Sequence, residues 1–376
     1  MKFPLFVIIL IASPCCAGAQ SFEPASECAS CHERINSEWR ESRHAHSSAQ
    51  NNPIYAAMLS WAGDAEMGAT CGKCHEPIAT LTAADDPLRH EGVTCDFCHA
   101  TKLTVTGGRT WFEPGPANSK YGPWDDAISS SHACIQSTLH SQSSFCLACH
   151  GNSENVHGVT FCSTGLEYQR SSFARKGVSC QDCHMPAIEG KAAPTGKLRQ
   201  AVHKHQFYGA YDEEMLRDCA TLEIDATQNG ESVSVWIRLT NQSVGHHLPT
   251  GTPMRMVLLK VEALDAGGNL LWTNYRTNPL KEDPGAVLMK LLQDDQGRAP
   301  VPPWEAVSER FDQRLRADEV RELHYAFSDS AAVEIKAVLT HRLAPPPLID
   351  RFGLDGTIYS AARIITTAQS TIKKKP

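Results

Sequence analysis

Residues 180–184 read Cys-Gln-Asp-Cys-His, and this Cys-x-x-Cys-His pattern occurs five times in the chain. The other copies begin at Cys28, Cys71, Cys95 and Cys146. Two intervening residues let one turn of chain bring both thiols to the two vinyl groups of a single haem, and the adjacent histidine then lies beneath the iron. The pattern therefore predicts five covalently attached haem c groups, each with a proximal histidine.

The residues that this prediction assigns fall into two sets. The cysteines predicted to attach haem are Cys28, Cys31, Cys71, Cys74, Cys95, Cys98, Cys146, Cys149, Cys180 and Cys183. The histidines predicted to be proximal iron ligands are His32, His75, His99, His150 and His184. Structural zinc needs ligands in fours, and neither zinc nor disulfides explain a histidine after every second cysteine. Haem attachment is therefore the preferred interpretation.

The N-terminal segment and the remaining cysteines bear on the cellular compartment of the protein. Residues 1–19 combine Lys2, an apolar run and an Ala-x-Ala site at residues 17–19, which is typical of a signal peptide. We therefore expect an exported protein, periplasmic or at the cell surface, where disulfides form. Cys134 and Cys162 flank the fourth motif and are candidates for one disulfide.

Composition excludes some partners. The 376-residue chain has a formal net charge of -7 and a pI of about 6.2, which argues against nucleic-acid binding. The apolar run near the N-terminus is too short to cross a bilayer, and no other run is long enough, so we expect no integral membrane span in the mature form. A chain of this length can hold two domains.

The two parts of the mature chain differ in pattern. Residues 20–212 hold every motif and little hydrophobic periodicity, which indicates short helices and loops wrapped on a haem chain. Within residues 213–376, apolar and polar side chains alternate over residues 233–239 and 257–263, as in half-buried strands. Strands in series without long helices favour an antiparallel, Ig-like β-sandwich. The predicted fold class is α+β, with a pentahaem domain at 20–212 and a sandwich domain at 213–376.

The second axial ligand of each iron decides the chemistry. An iron closed by two histidines carries electrons, whereas an open sixth position can bind and transform a substrate. Histidines near the motifs are candidates because each iron otherwise lacks a partner. The candidate distal ligands are His44, His90, His132, His203, His205, His246 and His247. The sequence leaves open which of these histidines serves which iron.

Several segments resemble the cytochrome c-554 type of multihaem cytochrome. These are residues 27–32 with Trp39 and Ser42-Arg43-His44-Ala45, residues 92–99, Tyr121-Gly122-Pro123 with His132, residues 177–186, and Gly245-His246-His247-Leu248-Pro249-Thr250-Gly251. The resemblance covers most of residues 27–260. It implies stacked, mainly bis-His haems that pass electrons in the periplasm or at the cell surface, with His44 and one loop histidine as distal ligands. The namesake type carries four haems, so its ligand pairing does not transfer as a whole.

Three functions are compatible with the sequence. The leading hypothesis is an electron carrier, not an enzyme, that docks redox proteins as donor and acceptor; short gaps such as Cys71 to Cys95 and Cys146 to Cys180 predict neighbouring haems packed edge to edge. The second is a reductase or oxidase of a small nitrogen or sulfur species at one open haem. The third gives the β domain a docking role, as in a homo-oligomer or an extracellular filament. The simpler alternative is that this domain caps the last haem through its loop histidines.

Overall fold

The computed structural model describes residues 22–63, 65–106, 109–217 and 219–374. The predicted signal peptide, residues 1–19, lies outside this part. The helices are α1 (Ala25–Ala29), α2 (Glu33–Glu41), α3 (Pro53–Ala62), α4 (Ala65–His75), α5 (Cys95–His99), α6 (Ser143–His150), α7 (Thr164–Arg170), α8 (Ser172–Arg175), α9 (Cys180–His184), α10 (Glu213–Arg217), α11 (Pro279–Glu282) and α12 (Pro346–Arg351), with 3-10 turns at Pro77–Thr80, Pro87–His90, Thr138–Ser141 and Pro284–Ala286.

The strands are β1 (Thr101–Thr106), β2 (Arg109–Pro114), β3 (Ser119–Gly122), β4 (Ala133–Gln136), β5 (Ser153–Glu154), β6 (Thr160–Cys162), β7 (Ala187–Gly190), β8 (Arg199–His203), β9 (Thr221–Asn229), β10 (Ser232–Thr240), β11 (Met256–Leu264), β12 (Leu270–Thr273), β13 (Val287–Leu288), β14 (Lys290–Gln293), β15 (Ser308–Asp312), β16 (Val320–Ser328), β17 (Glu334–Arg342), β18 (Arg363–Thr371) and β19 (Lys373–Lys374).

The N-terminal part contains more strand than the sequence pattern indicated. Its helices are short, as expected, but β1 to β8 form four two-stranded sheets between them. These strands are two to six residues long and mostly half-exposed, so they lack the long alternation that identifies a strand in sequence. Helix α2 ends at Glu41, where the Ser42 amide donates to the Trp39 carbonyl.

The C-terminal part is built on two larger sheets. One has the order β16-β10-β9-β19, and the other has the order β12-β11-β17-β18 with β13 beside β11. The predicted alternation holds in β10, where Val233, Val235, Ile237 and Leu239 are fully buried. Pairing is antiparallel except between β19 and β9, which run parallel. The prediction of a fold that mixes helices with antiparallel sheets is thus confirmed.

One hydrophobic cluster joins the two sheets. It includes Val235 of β10, Leu259 of β11, Leu339 of β17 and Ile365 of β18, all of which are at most 1% exposed. Because the inward-facing residues of both sheets share this cluster, burial of their side chains stabilises the C-terminal part without any cofactor. Among the described residues of the N-terminal part, in contrast, few large side chains are fully buried, and Ile78 is one of them.

Polar contacts connect the two parts. The Arg314 guanidinium lies 2.6 Å from the Glu167 carboxylate of α7, and both side chains are almost fully buried. Ser172 at the start of α8 donates its amide and its hydroxyl to the Asp318 carboxylate. The Lys290 ammonium of β14 donates to the Thr160 carbonyl of β6. These bonds hold the motif-bearing segments against the edge of the sheets.

Candidate haem-binding site

All ten motif cysteines and all five motif histidines line one cavity of about 2490 Å³. Pockets for a single small molecule are usually about 300–1,000 Å³. A cavity several times larger, with donor groups distributed along it, fits several large cofactors rather than one. The five motifs, spread over residues 28–184, are therefore brought together at one site.

Local capping sets the motifs on short helices. The third and fifth motifs coincide with α5 and α9. The Thr94 hydroxyl accepts from the Phe97 amide at the start of α5. At the start of α9, Ser179 and Asp182 form a capping box in which each side chain bonds the other's backbone amide. A helical turn from the first cysteine to the histidine places thiols and imidazole toward the same cavity.

The proximal imidazoles are fixed through their Nδ1 atoms. Four of them donate Nδ1–H to a backbone carbonyl: His32 to Ala192 at 2.9 Å, His75 to Ser47 at 3.2 Å, His99 to Tyr121 at 2.7 Å and His184 to Tyr208 at 2.5 Å. Such a bond directs Nε2 away from the carbonyl and into the cavity, and it is the usual outer contact of a metal-bound histidine. The donor set therefore fits haem iron.

Three proximal histidines face a second imidazole at one common spacing. The ring centroids are 6.2 Å apart for His184 and His246, 6.2 Å for His150 and His44, and 6.3 Å for His99 and His205. Imidazole–metal bonds of about 2 Å on opposite faces of one metal put the two ring centroids roughly 6 Å apart. The three pairs thus have the separation that two ligands of one iron require.

Burial keeps five of the six imidazoles in these pairs neutral, those of His44, His99, His150, His205 and His246. Desolvation lowers the pKa of His44 and of His205 to about 3, and that of His246 and of His150 to about 4. Burial also lowers the pKa of His99. A neutral imidazole is the form that binds a metal, so these side chains need no proton release before they coordinate.

The structure places the other candidate histidines differently. His203 and His132 line the cavity, but neither has a ring contact with a proximal histidine. His90 and His247 do not line it. The His247 Nδ1 atom is instead 3.9 Å from the Glu167 carboxylate. His140 also lines the cavity, and its Nε2 atom forms a hydrogen bond with the Cys98 carbonyl at 2.9 Å.

No second imidazole lies at the pair spacing from His32 or His75 in the described part of the chain. The His75 ring is stacked instead on the Tyr55 ring, with centroids 4.1 Å apart. The Tyr55 hydroxyl is buried without a hydrogen-bond partner. The first and second motifs therefore differ from the other three. Tyr55 was not identified from the sequence, because it lies 16 residues before its motif.

Contacts between motif thiols show which motifs are neighbours. Cys28 lies beside Cys95, Cys74 beside Cys149, and Cys146 beside Cys180. The fourth and fifth motifs are thus adjacent, as their short separation in sequence suggested. The second motif lies beside the fourth, and the third lies beside the first, so closeness in sequence did not predict those neighbours.

Comparison with known proteins agrees with this donor set. Residues 27–100 match the family model described as cytochrome c554 and c-prime. The chain is a multihaem c-type cytochrome. A solved structure, that of a penta-haem cytochrome c552 from Thermochromatium tepidum, superposes with a TM-score of 0.80 at 26% identity, over 93% of this chain and 99% of that one. The resemblance found in the sequence is thereby confirmed.

A curated relative gives a more limited match. The multihaem cytochrome MtrA of Shewanella baltica (strain OS185) is 28% identical over 185 residues, which are 46% of this cytochrome and 52% of that protein. This cytochrome thus spans about half the length of the curated relative that it matches. Its own helices, within the described ranges, include none that is both long and apolar enough to cross a membrane.

The structure does not join the candidate disulfide pair. Cys134 and Cys162 are both free thiols, and they lie on separate small sheets, Cys134 exposed on β4 and Cys162 on β6. Cys134, Cys162 and Cys219 all line the cavity. Position beside the fourth motif in the sequence therefore did not bring the two cysteines together.

Proposed function

We propose that this cytochrome carries five covalently attached haems and transfers electrons between redox proteins outside the cytoplasm. The spacing of the three imidazole pairs is the observation that carries the proposal. Two histidines on one iron leave no position for a substrate, so such a centre exchanges electrons without changing its ligands. Each haem supplies one reversible oxidation and reduction of its iron. In this reading the protein is a carrier and not an enzyme.

The proposal assigns a distal ligand to three haems. His205 closes the haem of the third motif, His44 that of the fourth and His246 that of the fifth. The Nδ1 atoms of His205 and His246 donate to the carbonyls of His203 and His247, which turns each Nε2 toward its proximal partner. His246 lies in the loop after β10, so the C-terminal part completes the fifth site. This supports the capping role of that part over a docking role.

The neighbouring thiols suggest a branched route for electrons. The fourth motif touches the second through Cys149 and Cys74, and the fifth through Cys146 and Cys180. Cys98 of the third motif also acts electrostatically on Cys146 and Cys149. The first motif joins the third through Cys28 and Cys95. We therefore place the fourth haem at the centre, with the others as its branches.

Several finer features belong to the same proposal. The shared core of the two large sheets supports an Ig-like sandwich, with a domain boundary near residue 212. The signal-like residues 1–19 support export to the periplasm or cell surface. The net charge of -7 favours basic donor and acceptor proteins as partners. Assembly into a homo-oligomer or a filament is compatible with this scheme, and His90, His132 and His203 stay candidates for the two remaining irons.

The test uses the intact holoprotein. Mass spectrometry should give the chain plus five haems, and potentiometric titration should give several overlapping one-electron steps with no ligand added. A purified electron donor of basic charge should reduce all haems faster at low salt than at high salt, because screening weakens the attraction. A haem number other than five, or irreversible reduction, would refute the proposal.

A second candidate function rests on the second motif. The Tyr55 hydroxyl is buried and unpaired beside His75, which no described imidazole faces at the pair spacing. An open iron there would make the protein a reductase or oxidase of a small nitrogen or sulfur species. Cyanide would then convert a high-spin signal to low spin and abolish turnover of nitrite or hydroxylamine. If cyanide changes no haem spectrum, this candidate is excluded.

A further inference from the structure

Three arginines from distant segments gather at the edge of the haem cavity. The Cζ atom of Arg43 is 4.3 Å from the centroid of the Tyr211 ring, and that of Arg363 is 5.1 Å from it. Arg255 also acts electrostatically on the Tyr211 hydroxyl. Arg43, Arg255 and Tyr211 line the cavity, and Arg363 is buried behind them at 8% exposure.

These arginines have no acidic partner within the described ranges. Each donates to a backbone carbonyl: Arg43 to His46 at 3.4 Å, Arg255 to Thr250 at 3.1 Å and Arg363 to Ile358 at 2.9 Å. The second terminal nitrogen of Arg363 is buried without a partner. Burial lowers the pKa of Arg255, and Arg363 is also buried, whereas Arg43 is half-buried. Buried cations without a counter-charge are costly, so these guanidinium groups at one place call for an anion.

His341 adds a further polar group to the same place. It is the cross-strand partner of Arg363 in the pairing of β17 with β18, so the two side chains share a face. His341 is 2% exposed, lines the cavity, and has an Nδ1 atom without a partner. Burial lowers its pKa to about 3, so it is a neutral hydrogen-bonding group.

We propose that Arg43, Arg255 and Arg363 form an anion site for a carboxylate or another small oxyanion. The inference rests on the proposed haem at the fourth motif, because Arg43 precedes its distal histidine and Arg255 acts electrostatically on His150. A haem carries propionate carboxylates, so a propionate of the fourth haem is one source of the anion. A dissolved oxyanion is the other source.

A fixed positive cluster has a definite effect on a nearby iron. Reduction adds an electron, so adjacent cations favour the reduced form and raise the reduction potential. Because the fourth motif contacts the second and the fifth, the arginines would set the potential of the haem at the centre of the route. They act through charge and position, without contact with the iron.

The experiment measures haem potentials in the holoprotein variants R255Q and R363Q. The matched control is R342Q, since Arg342 follows His341 on β17, faces the opposite side and bonds the Ser360 carbonyl. R255K retains the charge and should retain the potential. If the anion is a propionate, R255Q lowers the equilibrium constant for reduction of one haem about tenfold, which is ~59 mV in potential for one electron. Phosphate or nitrite added to the wild type then leaves every haem potential unchanged.

With a dissolved oxyanion, the result is different. Phosphate or nitrite then lowers that potential saturably in the wild type, and R255Q and R363Q remove the response. Either pattern supports the site. If R255Q and R363Q shift no haem more than R342Q does, and no anion acts on the wild type, the inference is wrong. Haem mass and reversible reduction are measured first, because their failure would instead refute the proposed function.

Discussion

Gly92 lies against the carbonyl oxygen of His44, so closely that a Cβ atom at residue 92 would overlap that oxygen. Its φ angle is +74°, and the next amide, that of Val93, donates to the same oxygen at 3.0 Å. The contact joins the segment before the third motif to the backbone of His44, the distal ligand proposed for the haem of the fourth motif. It thus couples two haem sites through one glycine.

Gly92→Ala should displace His44. Gly177 has the same φ angle, but a Cβ there would meet nothing within 4 Å. Both substitutions incur the backbone strain of alanine at positive φ, about 1 kcal/mol. Only G92A should also lose the low-spin EPR signal of one haem, with G177A as the matched control. If both variants keep the full wild-type spectrum, Gly92 does not position the ligand.

His246→Ala and His247→Ala should separate the two loop histidines. His246 faces His184 with ring planes 12° apart, whereas the His247 side chain points to Glu167. H246A should convert one haem equivalent from low to high spin, and H247A should leave the spin count unchanged. Added imidazole should restore the low-spin signal in H246A. The opposite assignment would follow if H247A alone produced a high-spin haem.

Glu167→Gln should weaken the junction between the two parts. The Glu167 carboxylate accepts from Arg314 at 2.6 Å, from the Thr250 hydroxyl at 2.6 Å and from the His247 amide at 3.1 Å. Removing one partner of a buried ion pair costs about 3 kcal/mol, which thermal unfolding of the holoprotein would detect. E322Q is the control, because its pair with Arg238 is exposed and should contribute little. Equal melting temperatures for the two variants would contradict this role.

The sequence predicted the cofactor and much of the sheet structure. The Cys-x-x-Cys-His motif is a local signal, and the alternation of apolar and polar residues over 233–239 directly indicates a strand with one buried face. Both features could therefore be predicted without a structure. Distal ligands such as His205 depend instead on how distant segments fold together. Spacing in sequence could not distinguish His203 from His205, since both lie beside the fifth motif, and the structure pairs His205 with the third.

Other features left no local signal at all. Arg43, Arg255 and Arg363 come from three separate segments, and each is an ordinary arginine in its own stretch of sequence. The short strands β1 to β8 were missed because two to six half-exposed residues carry no period. Cys134 and Cys162 suggested a disulfide by number and position alone, and folding placed them on different sheets.

The most direct measurement of the central claim is quantitative EPR of the ferric holoprotein beside the variants H44A, H205A and H246A. We expect at least three low-spin haems in the wild type, and each variant should lose one of them, a different one in each case. The matched variant H247A should lose none. If any of H44A, H205A and H246A retains the complete low-spin spectrum of the wild type, the corresponding imidazole pair does not hold an iron, and the ligand assignment is wrong.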